Sequence, residues 1–431
     1  MTETLRVGLA GLGVVGVGVI DILQKNREEI KQRCGKYLDI TVIAARDSGK
    51  DRGVDLTSYR WASSVDEFYE EDDVDIVVEM IGGSDGFAYD VVAEGLKRGK
   101  HVVTSNKALM AERGYELAER ADEQNVALFF EGAVAGGIPV IKTLREGLAA
   151  NNISSVYGIL NGTCNYILTE MQETGRDFDD VLMEAQNLGY AEADPHFDVD
   201  GIDAAHKTVL LGAIAFGIRP DMSHIMIRGI RQITALDFLY ASELGYVIKL
   251  LGRTRMEEDG TIIQMVEPCL VPEGNTIAVV NGVLNAVSIN GDYIGNTLSV
   301  GPGAGKEATA SAVVADLVDI ARGSRTPAFG RPAKQLKTIV EGSRDEIAYK
   351  FYLRLLVADK PGVFADIATI MRDHDVSMEA IIQRNDDTSG PVPIVMTTHH
   401  VQQYKMKHAI QLVADKLELE AEPVLFRIED V

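Results

Sequence analysis

Chemistry first suggests itself between Gly189 and Lys207, where Glu192, Asp194, Asp198, Asp200 and Asp203 precede Lys207 and the apolar run Thr208-Val209-Leu210-Leu211 follows. Charges set against a core survive only when paired or when they bind something, so this stretch is a candidate wall of a charged pocket. Asp203 and Lys207 stand four residues apart, hence on one helical face, and Glu192 can approach from the loop before them. The competing reading is a polar loop entering a capped helix, with Asp203 and Lys207 as an ordinary surface ion pair. Two other stretches carry reactive types. Lys107 follows Ser105-Asn106 just beyond a strand. Asn161-Gly162-Thr163-Cys164-Asn165 lies between a strand and a helix expected to begin near Tyr166. A thiol at a helix N-terminus has the lowered pKa of a nucleophile, which opens an acyl-enzyme reading of Cys164; the absence of a nearby histidine to act as its base counts against it.

These groups need a frame. Leu5–Ala10 reads as a strand, and Gly11-Leu12-Gly13-Val14-Val15-Gly16 leads from it into a helix expected over Val17 to Ile30. Glycines at that spacing permit a tight turn, close backbone approach to a pyrophosphate and close helix packing, while the helix N-terminus favours the phosphate charge. A second strand, Ile40–Ala45, ends in Arg46-Asp47-Ser48. An acid there grips a ribose 2′-hydroxyl and a base accepts a 2′-phosphate; Arg46, with Ser48 and Lys50 behind it, inclines the reading to NADP, with NAD still open. Strands at Asp75–Met80, His101–Thr104 and Val126–Phe130 alternate with helices, the pattern of a doubly wound parallel sheet whose ligands lie beyond the strands' carboxyl ends. That edge is where Lys107 falls. The last strand delivers Glu131 into a glycine-rich turn running to Pro139, which is either a hard-cation site built on carbonyl oxygens or a hinge.

Beyond Pro139 a helix to Leu148 is expected to cross into an α+β unit containing strands at Ile153–Leu160, Tyr246–Gly252 and Thr261–Pro268. Gly301-Pro302-Gly303-Ala304-Gly305 then opens a helix, Thr309 to Ala321, whose glycines are placed to face a cofactor again. The 431 residues divide into a nucleotide-binding domain over 1–140 completed by about 303–325, a substrate and dimerisation domain over 141–302, a linker over 323–347 and a regulatory unit over 348–431. The net charge of −23 disfavours nucleic acid and anionic membranes as partners. Three scattered cysteines and an N-terminus without a basic segment before a long apolar one point to a reduced, cytoplasmic setting.

The glycine fingerprint, Thr104–Lys107, Asn161–Leu168, Gly189–Pro195 and Asp203–Lys207 together closely resemble homoserine dehydrogenase, over about residues 5 to 325. The resemblance implies NAD(P)-dependent interconversion of L-aspartate 4-semialdehyde and L-homoserine. It implies cofactor contacts at Gly11, Gly13, Val14, Val15, Gly16, Arg46, Ser105, Lys107, Gly303 and Gly305. It also implies that Lys107 and Lys207 flank the reacting oxygen, with Lys207 the preferred acid, and that Gly189, Glu192, Asp198 and Asp203 hold the amino acid. A monovalent cation, sodium by preference, is implied at Glu131, Val134, Gly136 and Ile138, and pairing of subunits into a homodimer or homotetramer through the second sheet. From Tyr349 the tail reads βαββαβ, and with its turn Asp359-Lys360-Pro361-Gly362-Val363 it resembles an ACT domain. By that resemblance L-threonine is the expected effector, held near Asp359 and Gly362.

Overall fold

The computed structural model describes residues 3–339, 344–384 and 390–430. Residues 340–343, which include Gly342 inside the expected linker, lie outside the described residues.

Six strands, β1 (Thr4–Ala10), β2 (Tyr37–Ala44), β3 (Arg60–Ala62), β4 (Ile76–Glu79), β5 (His101–Thr104) and β6 (Leu128–Phe129), form one parallel sheet in the order β3-β2-β1-β4-β5-β6. Their short apolar runs are buried because helices cover both faces. The helices are α1 (Val14–Lys25), α2 (Arg27–Cys34), α3 (Val65–Phe68), α4 (Phe87–Lys97) and α5 (Lys107–Gln124). The strand order reverses between β1 and β4, which opens a crevice at their carboxyl ends. Two local expectations change. The helix expected from Val17 to Ile30 is two helices, because Asn26 adopts a non-helical backbone (φ −103°, ψ 18°) between them. β3 was not anticipated, being only three residues long.

The chain leaves this sheet through α6 (Val140–Lys142) and a π-helical turn, Thr143–Gly147, where one regular helix was expected. It continues through β7 (Ile153–Ile159), α7 (Gly162–Thr174), α8 (Phe178–Asn187), α9 (His196–Val199), α10 (Ile202–Phe216), β8 (Ile225–Ile227) and α11 (Ala235–Glu243). Four long strands follow, β9 (Tyr246–Met256), β10 (Ile262–Pro272), β11 (Leu284–Gly291) and β12 (Gly295–Pro302), in the order β12-β11-β7-β9-β10. Buried α10 lies against this sheet at van der Waals limits: a Cβ on Gly252 would come within 2.2 Å of Thr208 Oγ1, and one on Gly212 within 2.2 Å of Gln264 Nε2. The glycines therefore let the helix that carries Asp203 and Lys207 settle directly on the strands. α12 (Lys306–Ala321) returns to the first sheet and packs on α1, where a Cβ on Gly18 would meet Lys306 O at 2.8 Å.

The tail comprises β13 (Ala348–Val357), α13 (Val363–Asp373), β14 (Met378–Gln383), β15 (Val392–Thr398), β16 (Val401–Gln402), α14 (Gln403–Lys416) and β17 (Val424–Ile428). Its strand order, β17-β13-β15-β14, is ferredoxin-like. It is not a separate sheet. β17 pairs in parallel with β10 (Cys269↔Arg427, Leu270↔Ile428), so nine strands in line run from β12 to β14 within an 11-stranded sheet. Buried ion pairs cross the seam: Arg253 with Glu429, Arg427 with Glu267, and Arg354 with Asp237 at 2.6 Å. The stretch before the tail is packed along its described part, with Phe329 against Phe130 and the Ala333 amide donating to Asp122 at 2.6 Å. Among the described residues no helix is long and apolar enough to cross a membrane.

Candidate active site

The nucleotide end is made by backbone. Gly11 adopts φ +105°, and a Cβ there would lie 2.5 Å from Met80 O, so β1 can hand over to α1 beside β4 only through glycine. A Cβ on Gly16 would strike Gly11 O at 2.1 Å, whereas one on Gly13 would meet nothing within 4 Å; Gly16 serves packing and Gly13 leaves room for a ligand. No side chain caps α1 at Gly13, so its first-turn amides are free to meet a phosphate. Val14 and Val15 occupy that turn, Val14 exposed at 69% and Val15 facing the cleft with Ser105. A hollow of about 650 Å³ over Gly11 and Gly13 carries Arg46, Lys50 and Arg52. Arg52, which sequence reasoning passed over, is fastened by the carbonyls of Leu12 at 3.1 Å and Lys50 at 2.8 Å. Asp47, exposed beside the same hollow, accepts from the Gly49 amide at 2.9 Å. This set of amides and cations fits a nicotinamide dinucleotide.

A cleft of about 620 Å³ adjoins it, and there Asp203 stands between two lysines. Its Oδ1 lies 2.9 Å from Lys107 Nζ and its Oδ2 accepts from Lys207 Nζ at 2.7 Å. Lys207 also donates to Leu160 O at 2.6 Å, and Asn161 Nδ2 donates to both Asp203 and Asp198 at 2.8 Å. Burial works against ionising Asp203, but the ammonium groups of Lys207 and Lys107 outweigh it and hold the carboxyl well below the usual range. Burial pushes Lys207 below its ordinary value despite Asp203. Lys107 moves the other way, because Asp203, Asp198 and Glu192 together outweigh its desolvation. Burial raises Asp198. One ionised acid thus orients two bases of unequal proton affinity.

Each group has a structural cause. Lys107 opens α5, whose N-cap Asn106 accepts from the Leu109 amide at 3.0 Å. Glu79, fully buried at the end of β4, accepts from Thr104 Oγ1 at 2.6 Å and from the Ile81 amide at 2.6 Å, tying the loop after β4 to the turn after β5 that presents Ser105 and Lys107. An acid closing an apolar strand was its signal in the sequence. Gly189 and Asp198 line the cleft, whereas the Glu192 side chain is exposed at its rim and makes no hydrogen bond or ion pair among the described residues. Asp203 directs both oxygens to the lysines and Asn161; the family resemblance also implies a part for it in holding substrate. Cys164 requires a correction. α7 begins at Gly162 rather than near Tyr166, so the thiol points inward, fully buried, and donates to Asp198 O at 3.2 Å. Burial and the charges of Asp198 and Asp203 push its pKa up, the opposite of an activated nucleophile.

Glu131 caps α6, accepting from the amides of Ile141 at 2.9 Å and Lys142 at 2.8 Å, while its own amide donates to Asp316 at 2.8 Å. Burial and the facing Asp316 push it up to about 7. The turn it begins, through Val134, Gly136 and Ile138, touches the glycine loop before α12, with Gly137 N donating to Pro302 O at 2.9 Å. Among the described residues no cluster of three or more His, Cys, Asp or Glu suits a metal, so a cation here depends on carbonyl oxygens beside one carboxylate. In the tail, Gly362 adopts φ +96° and caps α13, and Asp359 lies exposed on the same turn.

Comparison with known proteins decides the family. Residues 139–318 match the model for homoserine dehydrogenase, 11–131 its NAD-binding domain and 351–414 the ACT domain. The chain is 45% identical over 439 residues to a homoserine dehydrogenase of Pseudomonas aeruginosa, covering 100% of both. The chain belongs to the homoserine dehydrogenase family. A crystal structure of the family from Thiobacillus denitrificans aligns with TM-score 0.93 at 43% identity over 99% of each chain. A hyperthermophilic archaeal homoserine dehydrogenase mutant in complex with NADPH aligns with TM-score 0.63 at 29% identity, over 74% of this chain and 97% of that one. The nucleotide sheet, the mixed second sheet and the C-terminal ACT domain are therefore the family's architecture, and the NAD-binding match agrees with the amides and cations around Gly11–Gly16.

Proposed function

We propose that this chain catalyses the reversible, NAD(P)-dependent reduction of L-aspartate 4-semialdehyde to L-homoserine, with Lys207 as the proton donor. The observation that carries the residue assignment is Asp203 bridging Lys107 and Lys207 in a cleft also lined by Val15 of the first turn of α1 and by Gly303 and Gly305. A bound nicotinamide supplies the hydride. The chain's own work is electrostatic. An alkoxide forming beside Lys207 and Lys107 is stabilised by both ammonium groups, and Lys207, whose burial weakens its hold on the proton, is the group poised to release it. In the oxidative direction the same lowered affinity makes neutral Lys207 an accessible base. Asp198, buried on the cleft wall beside Gly189, is placed to meet the substrate's α-ammonium group, and the Glu192 charge at the rim draws it in.

Finer readings follow from the same surroundings. Arg46, Lys50 and Arg52 favour a 2′-phosphate, hence NADP, with NAD an alternative. Glu131, with carbonyls of Val134, Gly136 and Ile138, is the proposed place for sodium or another monovalent cation. The domain limits drawn from sequence, the cytoplasmic location, and L-threonine as an effector near Asp359 and Gly362 belong to the same reading. The free edge strand β12, whose hairpin exposes Tyr293 at 86% and Val300 at 48%, is the proposed dimer contact. The deciding assay follows nicotinamide absorbance with aspartate semialdehyde and, in reverse, with homoserine. Turnover in both directions is expected; none in either ends this reading.

A further inference from the structure

Asn285 lies on β11 where the strand passes between the turn before α7 and the glycine loop before α12. Its side chain lines the cleft together with Lys107, Asp203 and Lys207, yet the residue is only 1% exposed. Neither its amide nitrogen nor its amide oxygen has a hydrogen-bond partner among the described residues. Two asparagines of the neighbouring helix α7 and its N-cap are fully employed. Asn161 holds Asp198, Asp203 and the Cys164 amide, and Asn165 donates to the carbonyls of Val280, Gly282 and Leu284. Asn285 is also the reason Gly303 has no side chain, since a Cβ there would fall 2.0 Å from its amide carbon. On its other side Asn285 Oδ1 is 3.6 Å from where a Cβ on Gly162 would lie.

A buried carboxamide with neither half bonded destabilises the ligand-free fold, and native proteins carry such groups where a partner arrives from outside. The partner's chemistry can be read from what is missing. A carboxamide offers donors and an acceptor side by side. The substrate's carboxylate would satisfy the nitrogen and repel the oxygen; its ammonium would do the reverse. Another carboxamide satisfies both at once, and Gly303, packed beside the Asn285 amide, belongs to the loop that opens α12 on the nucleotide side. We propose that Asn285 pairs with the carboxamide of the nicotinamide and so selects which way round the ring lies in the cleft. This rests on the function proposed above.

The test uses calorimetric binding of NADP⁺ and of its 3-acetylpyridine analogue, which keeps the acceptor and lacks the N–H donors, to the full chain and two variants. Wild type should bind NADP⁺ roughly 5- to 10-fold more tightly than the analogue, the size expected of one buried hydrogen bond. Asn285→Leu should bind the two equally, and its ligand-free melting temperature should equal or exceed that of wild type, because it removes an unpartnered amide. Asn285→Asp fills the same space with acceptors only and should favour NADP⁺ over the analogue even more than wild type does. The inference is overturned if Asn285→Leu keeps the wild-type preference, whether its only change is a raised KM for homoserine, which would assign the amide to substrate, or a lowered melting temperature, which would make it structural. Wild-type homoserine turnover is measured alongside. Its absence would sink the proposed function, while the binding ratios would still judge Asn285.

Discussion

Asp203 is the residue on which the proton chemistry turns, because its charge raises the proton affinity of both lysines. Aldehyde reduction needs Lys207 protonated, so its rate should fall as pH rises through the Lys207 pKa, which burial has moved below the ordinary lysine value. Asp203→Asn removes the charge that raises it, so that limb should shift to lower pH in a kcat profile; a limb that stays where it was would place the titrating group elsewhere. Lys207→Ala should lower kcat roughly 10²-fold or more, the range of a lost general acid. Single-turnover rates with saturating cofactor and substrate would show whether that loss lies in the chemical step. Cys164, buried and bonded to Asp198 O, predicts the reverse: Cys164→Ser should keep turnover within a few-fold of wild type, and abolished activity would revive a thiol intermediate.

At the scale of elements, the turn after β6 and the helix α12 share a pair of buried acids. Glu131, pushed up to about 7, faces Asp316, pushed up to about 6. Both pKa values are raised above those of free carboxyls, so the folded chain holds extra protons; the stability they contribute is complete at about pH 4 and lost as pH rises through 6 to 7. Melting temperature should therefore fall across that window, and Glu131→Gln should flatten the fall. A monovalent cation beside Glu131 favours the ionised acid. At pH 8, sodium chloride should raise the melting temperature over choline chloride at equal ionic strength, and the difference should vanish in Glu131→Gln; equal melting in both salts would remove the cation from this turn.

For the whole molecule the consequential feature is the seam between β10 and β17. Cutting the chain near residue 342 removes β17, frees the Cys269–Leu270 end of β10, beyond the stretch that β8 pairs, and uncovers the apolar surface that Phe238 and Tyr240 share with Tyr352, Val395 and Phe426. The cut also strips fully buried Asp237 of Arg354. Such a chain should melt lower and self-associate in light scattering; equal stability and monodispersity would mean the seam contributes little. The threonine response is better tested by Asp359→Ala in the full chain, which should keep turnover without effector and respond less to added L-threonine. An unchanged response would move the effector away from this turn.

Much of this was legible in the sequence because it is local. The glycine fingerprint, the strand–helix alternation, the four-residue step from Asp203 to Lys207 and the βαββαβ tail are all matters of short-range spacing. Burial and partnership are not local, and there the sequence was silent or misleading. Cys164 was read at a helix entrance, but the docking of α7 put it inside. Spacing alone paired Asp203 only with Lys207, and α5 brings Lys107 from a distant part of the chain onto its other oxygen. Nothing near Asn285 in sequence marks it, since its isolation exists only between two loops that meet in space. The tail was read as a regulatory unit behind a linker, and its last strand pairs with β10 in the sheet of the second domain. Short-range periodicity specifies elements, whereas desolvation and ion pairing depend on which elements the fold stacks together, and those contacts shape the chemistry proposed for this cleft.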